Sequence, residues 1–215
     1  MTDLEYENLE IVSHASRFIK WTADLIEPFV GGKVLEIGAG YGGLYRELEP
    51  GCVSYEPTDI DLQFSECKRL DITKKALDKK FDTIIASNVF EHLAFTDQAW
   101  ENVCEMLERK GQFILIVPYG KKLYGSLDEA VGHYLRYEDW IVYAEMPEKC
   151  QLIDRIPFNR VSSIAWWVNG KILRKKKFSL FQIKILELFI PFIRLVDKYL
   201  PLPPLSVIYV IEKNA

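Results

Sequence analysis

Residues Val34 to Gly43 read VLEIGAGYGG, a short apolar run that passes directly into a turn rich in glycine. Such a run, bounded by glycines, is typical of a buried parallel strand, and Gly38-x-Gly40-x-x-Gly43 fits the fingerprint of a dinucleotide-binding turn. One acidic residue complicates this interpretation, because Glu36 stands two residues ahead of the first glycine. The stretch therefore predicts an α/β fold with a ligand at the end of its first strand, and it leaves the ligand open.

The composition narrows the class of protein. The chain has 215 residues, of which 49% are hydrophobic and 27% charged, and its net charge is −4; this is ordinary for one α/β domain with a modest insertion. The acidic balance argues against nucleic acid as a partner, because that role usually needs a basic face. The four cysteines form no C-x-x-C pair, so we expect reduced thiols and no metal site. The N-terminal stretch lacks the pattern of a signal peptide, and we expect a cytoplasmic protein.

Strands and helices alternate along the chain, which predicts βαβ units and a parallel sheet. In this interpretation Pro57 stops the second strand, and Gly111 ends the helix that precedes the fifth strand. The predicted strands are 33–37, 52–56, 67–71, 82–87, 112–118, 151–156 and 205–212. The predicted helices are 13–29, one that begins near Gly43, and 74–79, 97–108 and 138–145.

The acid in the first strand bears on which ligand the glycine turn holds. The pyrophosphate of a dinucleotide is anionic, and the carboxylate of Glu36 would oppose it. S-adenosylmethionine has no phosphate and carries a sulfonium and an ammonium group, which a nearby carboxylate suits. Glu56, at the end of the second strand, can accept hydrogen bonds from the ribose of either ligand. The residues favour S-adenosylmethionine, and an NAD-dependent oxidoreductase remains the literal interpretation of the glycines.

Five stretches between Lys33 and Pro118 follow one another in a fixed order: VLEIGAGYGG, CVSYEPT, KRLDI, FDTIIASNVFEHL and LERKGQFILIVP. Together they resemble the class I S-adenosylmethionine-dependent methyltransferases. The resemblance implies one methyltransferase domain over 1–215, with a Rossmann-like, doubly wound, mostly parallel seven-stranded sheet whose last strand is antiparallel. One departure is ITKKALDKKFD, which lacks the LPF-like segment of many members. The residues that the resemblance assigns to the cofactor are Glu36, Gly38, Ala39 and Gly40 for the methionine part, Glu56 and Pro57 for the ribose, Asp71 and Ile72 for the adenine, and Asn88 below the methionyl group.

A second resemblance concerns the acceptor. The segment GSLDEAVGHYLRYEDW (125–140) is similar to one in small bacterial methyltransferases encoded with glycosyltransferases and polysaccharide genes. It suggests O-methylation of a hydroxyl on a sugar or glycan precursor, with His133 as a general base, because histidine has the unperturbed pKa nearest neutrality. Tyr119, Tyr134 and Arg136 are candidate substrate residues. The alternatives are that His133 and Arg136 only hold the loop together, that the acceptor is a small natural product or an amine, or that the chain is a non-catalytic scaffold.

Two helical regions flank the predicted sheet. Residues 1–30 resemble a helical lid over the cofactor, and 159–204 form a helical insertion between the last two strands. The insertion carries the basic run Arg174 to Lys177 and an amphipathic helix that Pro191 should kink or split. That helix is expected either to cap the sheet or a second subunit, or to place 171–200 on the inner face of a membrane. The oligomeric state stays open.

Overall fold

The computed structural model describes residues 2–214. Its centre is one seven-stranded sheet in the order β3-β2-β1-β4-β5-β7-β6. All neighbouring pairs are parallel except those of β7, which runs antiparallel to β5 and to β6. This is the predicted doubly wound, Rossmann-like sheet. The strands are β1 Lys33–Ile37, β2 Ser54–Asp59, β3 Lys68–Arg69, β4 Phe81–Ser87, β5 Leu107–Pro118, β6 Cys150–Phe158 and β7 Ser206–Lys213.

Helices cover both faces of the sheet. Because side chains alternate along a strand, neighbours such as Ile84 and Ile85 of β4 enter different cores. One core holds Trp100 and the other holds Trp21. The helices are α1 Asp3–Ser13, α2 Ser16–Ile26, α3 Gly43–Leu48, α4 Asp97–Met106, α5 Ser126–Ala130, α6 Asp139–Glu145, α7 Arg160–Trp167 and α8 Leu180–Val196. None of the helices described between residues 2 and 214 is both long and apolar enough to cross a membrane.

Three predicted element boundaries are wrong. The helix expected at 13–29 begins only at Ser16, as α2, and ends in a short 3-10 turn at Glu27–Phe29, while a separate helix, α1, precedes it. No helix forms at 74–79, since so short a segment is not stable as a helix without packing and the chain there makes a turn in which Asp71 accepts hydrogen bonds from Thr73. Gly111 does not end α4. It lies inside β5, where a Cβ would come 2.9 Å from the carbonyl oxygen of Glu108.

The second strand also differs from its prediction, because it continues through Pro57 to Asp59. Proline has no N–H and is excluded from a strand that must donate on both sides. Here β3 pairs with β2 only at Thr58 and Asp59, so Pro57 has a sheet neighbour on the β1 side alone, where it lies opposite Glu36. The unpaired edge at this point makes the proline tolerable, and the strand continues three residues further than the sequence indicated.

The insertion between β6 and β7 contains α7, a π-helical turn at Val168–Ile172 and α8. Pro191 neither ends nor splits α8. Proline leaves the carbonyl four residues earlier without its helical donor, and that carbonyl, of Glu187, accepts a hydrogen bond from Arg17 Nη1 at 3.1 Å. The side of α8 that holds the proline is therefore bound to α2.

Candidate active site

A cleft of about 1600 Å³ opens at the carboxyl ends of β1, β2 and β4. In open α/β sheets this edge is where ligands bind. Its floor is the glycine turn after β1, and α1, α7 and α8 contribute side chains to its walls. The cleft is larger than the 300–1,000 Å³ typical of a site for one small ligand, so it has space for a cofactor and a second molecule.

The glycine turn is shaped for close approach of a ligand to its backbone. Gly38 has φ 73° and Gly40 has φ 52°, the left-handed region that glycine adopts without strain. A Cβ on Gly38 would lie 2.2 Å from a methyl carbon of Val89. The turn is tied to β2, since the N–H of Ala39 donates to the carbonyl of Thr58 at 2.9 Å.

Glu36 is the buried acid of this turn, with 2% of its surface exposed. The hydroxyl of Tyr55 donates to its carboxylate at 3.0 Å. Burial raises the pKa of Glu36 to about 7, and the hydrogen bond from Tyr55 opposes part of that rise. A carboxyl group with such a pKa gains its charge readily when a cation arrives beside it.

The predicted ribose acid, Glu56, does not lie in the cleft. The carboxylate of Glu56 forms ion pairs with Lys68 at 3.2 Å and Lys79 at 2.8 Å, and neither Glu56 nor Pro57 lines the cleft. Asp59 does line it, and accepts a hydrogen bond from the N–H of Gly40 at 2.8 Å. The strand that continues past Pro57 brings Asp59, not Glu56, to the carboxyl edge. In the sequence, Asp59 ends the stretch Pro57-Thr58-Asp59. It was not predicted as a site residue, because Pro57 was expected to stop the strand.

The remaining predicted cofactor residues all lie in the cleft: Asp71, Ile72 and Asn88 line it beside the glycine turn. Ile72 is buried, and its carbonyl accepts a hydrogen bond from Asn102 Nδ2 at 2.6 Å. Asn88 has φ 53° at the end of β4, and its N–H donates to the carbonyl of Ile116 at 2.9 Å. An asparagine tolerates this left-handed conformation better than most residues.

Opposite the glycine turn, a buried carboxylate organises the wall of the cleft. Asp128 accepts hydrogen bonds from His133 Nδ1 at 2.9 Å, Arg136 Nε at 2.8 Å and Trp166 Nε1 at 3.0 Å. Burial lowers the pKa of His133, and the bond to Asp128 opposes that shift. The arrangement places the imidazole in the cleft with one ring nitrogen held by a carboxylate.

A comparison of the sequence with protein families assigns the chain to one of them. Residues 11–170, well over half of the chain, match the family described as "Methyltransferase domain". The chain belongs to this methyltransferase family. It is therefore an enzyme of methyl transfer, and methyltransferases of this family use S-adenosylmethionine as the methyl donor. The oxidoreductase interpretation of the glycines is wrong. A comparison with curated proteins found none that matches.

Solved structures agree on the fold. The N-methyltransferase NodS from Bradyrhizobium japonicum WM9, in complex with S-adenosyl-L-homocysteine, is 16% identical with a TM-score of 0.51, over 85% of this chain and 78% of that one. Coclaurine N-methyltransferase bound to N-methylheliamine and S-adenosyl-L-homocysteine is 13% identical with a TM-score of 0.60, over 90% and 70%. An S-adenosylmethionine-dependent methyltransferase from Clostridium acetobutylicum ATCC 824 is 12% identical with a TM-score of 0.54, over 94% and 92%. At these identities the likeness shows the fold alone.

The three candidate substrate residues of this methyltransferase differ in their placement. Tyr134 stands at the rim of the cleft with 64% of its surface exposed. Arg136 lines the cleft but is 3% exposed, and its guanidinium is engaged by Asp128 and by the carbonyls of Tyr119 and Leu205. Tyr119 does not line the cleft; its ring lies under the guanidinium of Arg155.

Beside His133 lies an acid that the sequence did not single out. Glu91 is fully buried, and neither oxygen of its carboxylate has a hydrogen-bond partner. Burial raises its pKa to about 8. His92 packs edge-to-face on His133, and burial lowers the pKa of His92 to about 4. Among the residues described, these three side chains bring their donor atoms within 4.8 Å of one another, a spacing that a cation could bridge.

Proposed function

We propose that this methyltransferase transfers a methyl group from S-adenosylmethionine to a hydroxyl of a sugar or glycan precursor, as a step in polysaccharide biosynthesis. One observation carries the proposal: the imidazole of His133, held by Asp128, faces the same cleft as the glycine turn after β1. A hydroxyl acceptor must lose its proton during the transfer, and a positioned base aids that loss. The segment that bears both residues, 125–140, is the one that resembles glycan-associated methyltransferases.

The residues around the glycine turn fit the donor. Glu36 lies where a carboxylate can face the ammonium and sulfonium groups, while Gly38, Ala39 and Gly40 let the backbone approach the methionine part. We assign the ribose hydroxyls to Asp59, because its carboxylate is at the cleft and retains unused acceptor positions. Asp71 and Ile72 are assigned to the adenine and Asn88 to the methionyl floor. S-adenosylmethionine supplies an electrophilic methyl group on a sulfonium.

His133 acts as the base in this proposal. Its Nδ1 lies 2.9 Å from Asp128 Oδ1, so a proton on Nδ1 is donated to Asp128. The lone pair of Nε2, which lies 3.7 Å from Glu91 Oε1, is left to accept a proton. The carboxylate also stabilises the imidazolium that forms. Arg136 and Trp166 share Asp128 and fix its position, which makes Arg136 a positioning residue. Tyr134, at the rim, is available to the acceptor.

The His133 assignment is testable through its pH dependence. Since the pKa of His133 is lowered by burial, the imidazole is neutral at pH 7, and we expect kcat to fall only as the pH decreases below the ordinary histidine value of about 6.5. His133→Ala should reduce kcat by roughly 10²- to 10⁴-fold, with the affinity for S-adenosylhomocysteine unchanged. Near wild-type turnover would show that His133 only holds the loop.

A metal control separates this base from a cation at the same cluster. If His133 acts alone, dialysis against EDTA leaves the rate unchanged. Loss of activity that zinc or manganese restores would instead assign Glu91, His92 and His133 to a metal site.

Calorimetry tests the donor and the competing functions together. We expect micromolar binding of S-adenosylhomocysteine and no binding of NADH. Binding of neither would favour a scaffold without chemistry. Release of S-adenosylhomocysteine on a panel of sugars, nucleotide sugars, amines and small natural products then distinguishes a glycan hydroxyl from the alternative acceptors.

We also propose that the enzyme works in the cytoplasm at the inner face of a membrane, through residues 171–200. The support is the basic run at 174–177, of which Lys175 is half-buried and Lys177 pairs with Glu7, next to the exposed apolar surface of α8. A basic run beside an apolar surface attracts anionic lipid surfaces. Liposome sedimentation should show wild-type protein bound to vesicles containing phosphatidylglycerol and less of a Lys175→Ala/Lys176→Ala/Lys177→Ala variant. Absence of both proteins from the pellet would end the idea.

A further inference from the structure

Two buried polar side chains in the cleft lack partners. Asn159 is 4% exposed and Ser162 is 7% exposed. Neither Asn159 Oδ1 nor Ser162 Oγ has a hydrogen-bond partner, and both residues line the cleft. A buried polar atom without a partner costs free energy, and Asn159 also holds a left-handed backbone at φ 60°. Their placement is explained if a ligand with hydroxyl groups completes their hydrogen bonds.

The orientation of α8 is unusual, because charged side chains of this helix face the rest of the protein while apolar ones face outward. The carboxylate of Glu187 points inward, where it accepts hydrogen bonds from the N–H groups of Arg17 at 2.7 Å and Phe18 at 2.9 Å. It caps α2, whose own N-cap residue Ala15 has no side chain to do so. Arg194 of α8 also points inward, to Asp24 at 2.8 Å.

The outer surface of α8 is consequently apolar. Phe181, Leu188 and Leu195 are 65–71% exposed, and Tyr199, in the 3-10 turn after α8, is 74% exposed. Three further exposed residues of the same helix, Ile185, Phe189 and Phe192, line the cleft that contains the glycine turn. These three are called the apolar exit below. One cleft therefore contains the glycine turn, the unpaired polar atoms of Asn159 and Ser162, and an apolar surface open to the outside.

We propose that the acceptor is an amphiphile: a hydroxyl-bearing polar head bound by Asn159 and Ser162, joined to a hydrocarbon chain that lies along the apolar exit. The inference rests on the proposed function and names its substrate class, a lipid-linked sugar. The two kinds of surface in one cleft correspond to the two parts of the ligand. In this proposal the head presents its hydroxyl to His133, and the chain lies along Ile185, Phe189 and Phe192 of α8.

A hydrocarbon chain fits the apolar exit better than a second copy of this protein. In a symmetric dimer through α8, the basic residues that precede and accompany the helix in one copy would be brought close to those of the other copy. Lys175, Lys176, Lys184 and Lys198 are four such residues, and like charges across an interface weaken it. A chain that continues the ligand already in the cleft meets no such repulsion.

The test is binding of ethyl, hexyl and octyl β-glucosides, each below its micelle concentration, to protein saturated with S-adenosylhomocysteine. We expect the dissociation constant to fall by at least about tenfold from ethyl to octyl, because each buried methylene adds to the apolar area removed from water. Phe189→Ser/Phe192→Ser should flatten this dependence. Val53→Ser/Phe95→Ser is the matched control, since both residues are exposed apolar side chains outside the cleft, and it should leave the dependence intact.

Ser162→Ala separates a ligand contact from a structural one. We expect it to weaken all three glucosides by a similar factor of roughly 3 to 10, with the thermal midpoint unchanged or raised, since the hydroxyl has no protein partner to lose. A lowered midpoint with unchanged binding overturns the assignment of the head. Equal affinity for ethyl and octyl glucoside, or binding of neither, overturns the amphiphile proposal while S-adenosylhomocysteine still binds. Failure to bind S-adenosylhomocysteine defeats the proposed function itself.

Discussion

Because we assign the buried carboxyl group of Glu36 to the cofactor, we expect cofactor binding to depend on pH. With a pKa of about 7 in the free protein, Glu36 is mostly protonated at pH 6 and mostly ionised at pH 8. A ligand ammonium favours the ionised form, so we expect the affinity for S-adenosylhomocysteine to rise about tenfold between these two pH values. Calorimetric titration across the range measures this rise.

The matched variants for that measurement are Glu36→Gln and Tyr55→Phe. Glu36→Gln should bind weakly at every pH and show no such rise. Tyr55→Phe removes a hydrogen bond that lowers the pKa of Glu36, so it should move the rise to higher pH. A wild-type affinity that does not change between pH 6 and pH 8 would contradict the role given to Glu36.

A pair of acids on β2 tests the revised ribose assignment. Asp59→Asn keeps an acceptor for the N–H of Gly40 but loses the charge-assisted bonds to ribose, and we expect the dissociation constant of S-adenosylhomocysteine to rise roughly tenfold or more. Glu56→Gln breaks only exposed ion pairs with Lys68 and Lys79 and should change it less than about twofold. The reverse ranking of the two variants would restore Glu56 to the site.

These residues show what the sequence could reveal at this scale. Local patterns are visible in a sequence. Here they are the glycine turn with Glu36, and the crowding of Asp128, His133 and Arg136 within ten residues. The sequence favours Glu56 over Asp59 as the ribose acid, because it does not show that β3 is too short to pair with Pro57. Glu91, Asn159 and Ser162 gave no signal, since the absence of a hydrogen-bond partner is a property of the folded surroundings.

At the scale of elements, α1 covers the glycine turn. Leu9 comes within 3.8 Å of the position that a Cβ on Gly40 would occupy. The hydroxyl of Tyr6 donates to Asp61 at 2.7 Å, two residues after Asp59. From these contacts we propose that the N-terminal helices close over the cofactor as a lid, since α1 rests on the loop to which we assign the cofactor.

The lid proposal predicts a kinetic effect for Tyr6→Phe. Loss of one hydrogen bond between the lid and the loop should speed dissociation of S-adenosylhomocysteine by roughly two- to tenfold, measured by stopped-flow displacement. Tyr143→Phe is the control, because Tyr143 is an exposed tyrosine on α6 that does not line the cleft. An unchanged dissociation rate in Tyr6→Phe would mean that α1 does not retain the cofactor.

Elements with a strong periodic pattern were predictable, and elements decided by tertiary contacts were not. The apolar runs of β1, β4 and β5 and the helix α4 follow from alternation and helical spacing. The two faces of α8 were also visible, but a helix does not record in its own sequence which face meets the core. The capping of α2 by Glu187 decides that choice, and it joins residues 170 positions apart.

For the whole molecule, the charge distribution matters more than the net charge. The chain carries −4 overall, yet 174–177 is an unbroken basic run beside the apolar outer surface of α8. A uniform −4 would repel an anionic bilayer, whereas we expect this asymmetry to orient the α8 side towards it. The same side contains the apolar exit, so in the proposed orientation the cleft would also face the lipids.

The salt concentration should therefore distinguish the electrostatic component of membrane binding from the apolar one. The screening length decreases from about 10 Å at 0.1 M salt to about 3 Å at 1 M, so we expect sedimentation with vesicles containing phosphatidylglycerol to fall steeply over that range. Phe181→Ser/Leu188→Ser should weaken sedimentation at every salt concentration, because it removes apolar area that salt does not screen. The control Lys33→Ala/Arg109→Ala removes two exposed basic residues near the amino ends of β1 and β5 and should bind as wild type does. Equal binding to neutral and anionic vesicles would contradict the basic run as the attracting group.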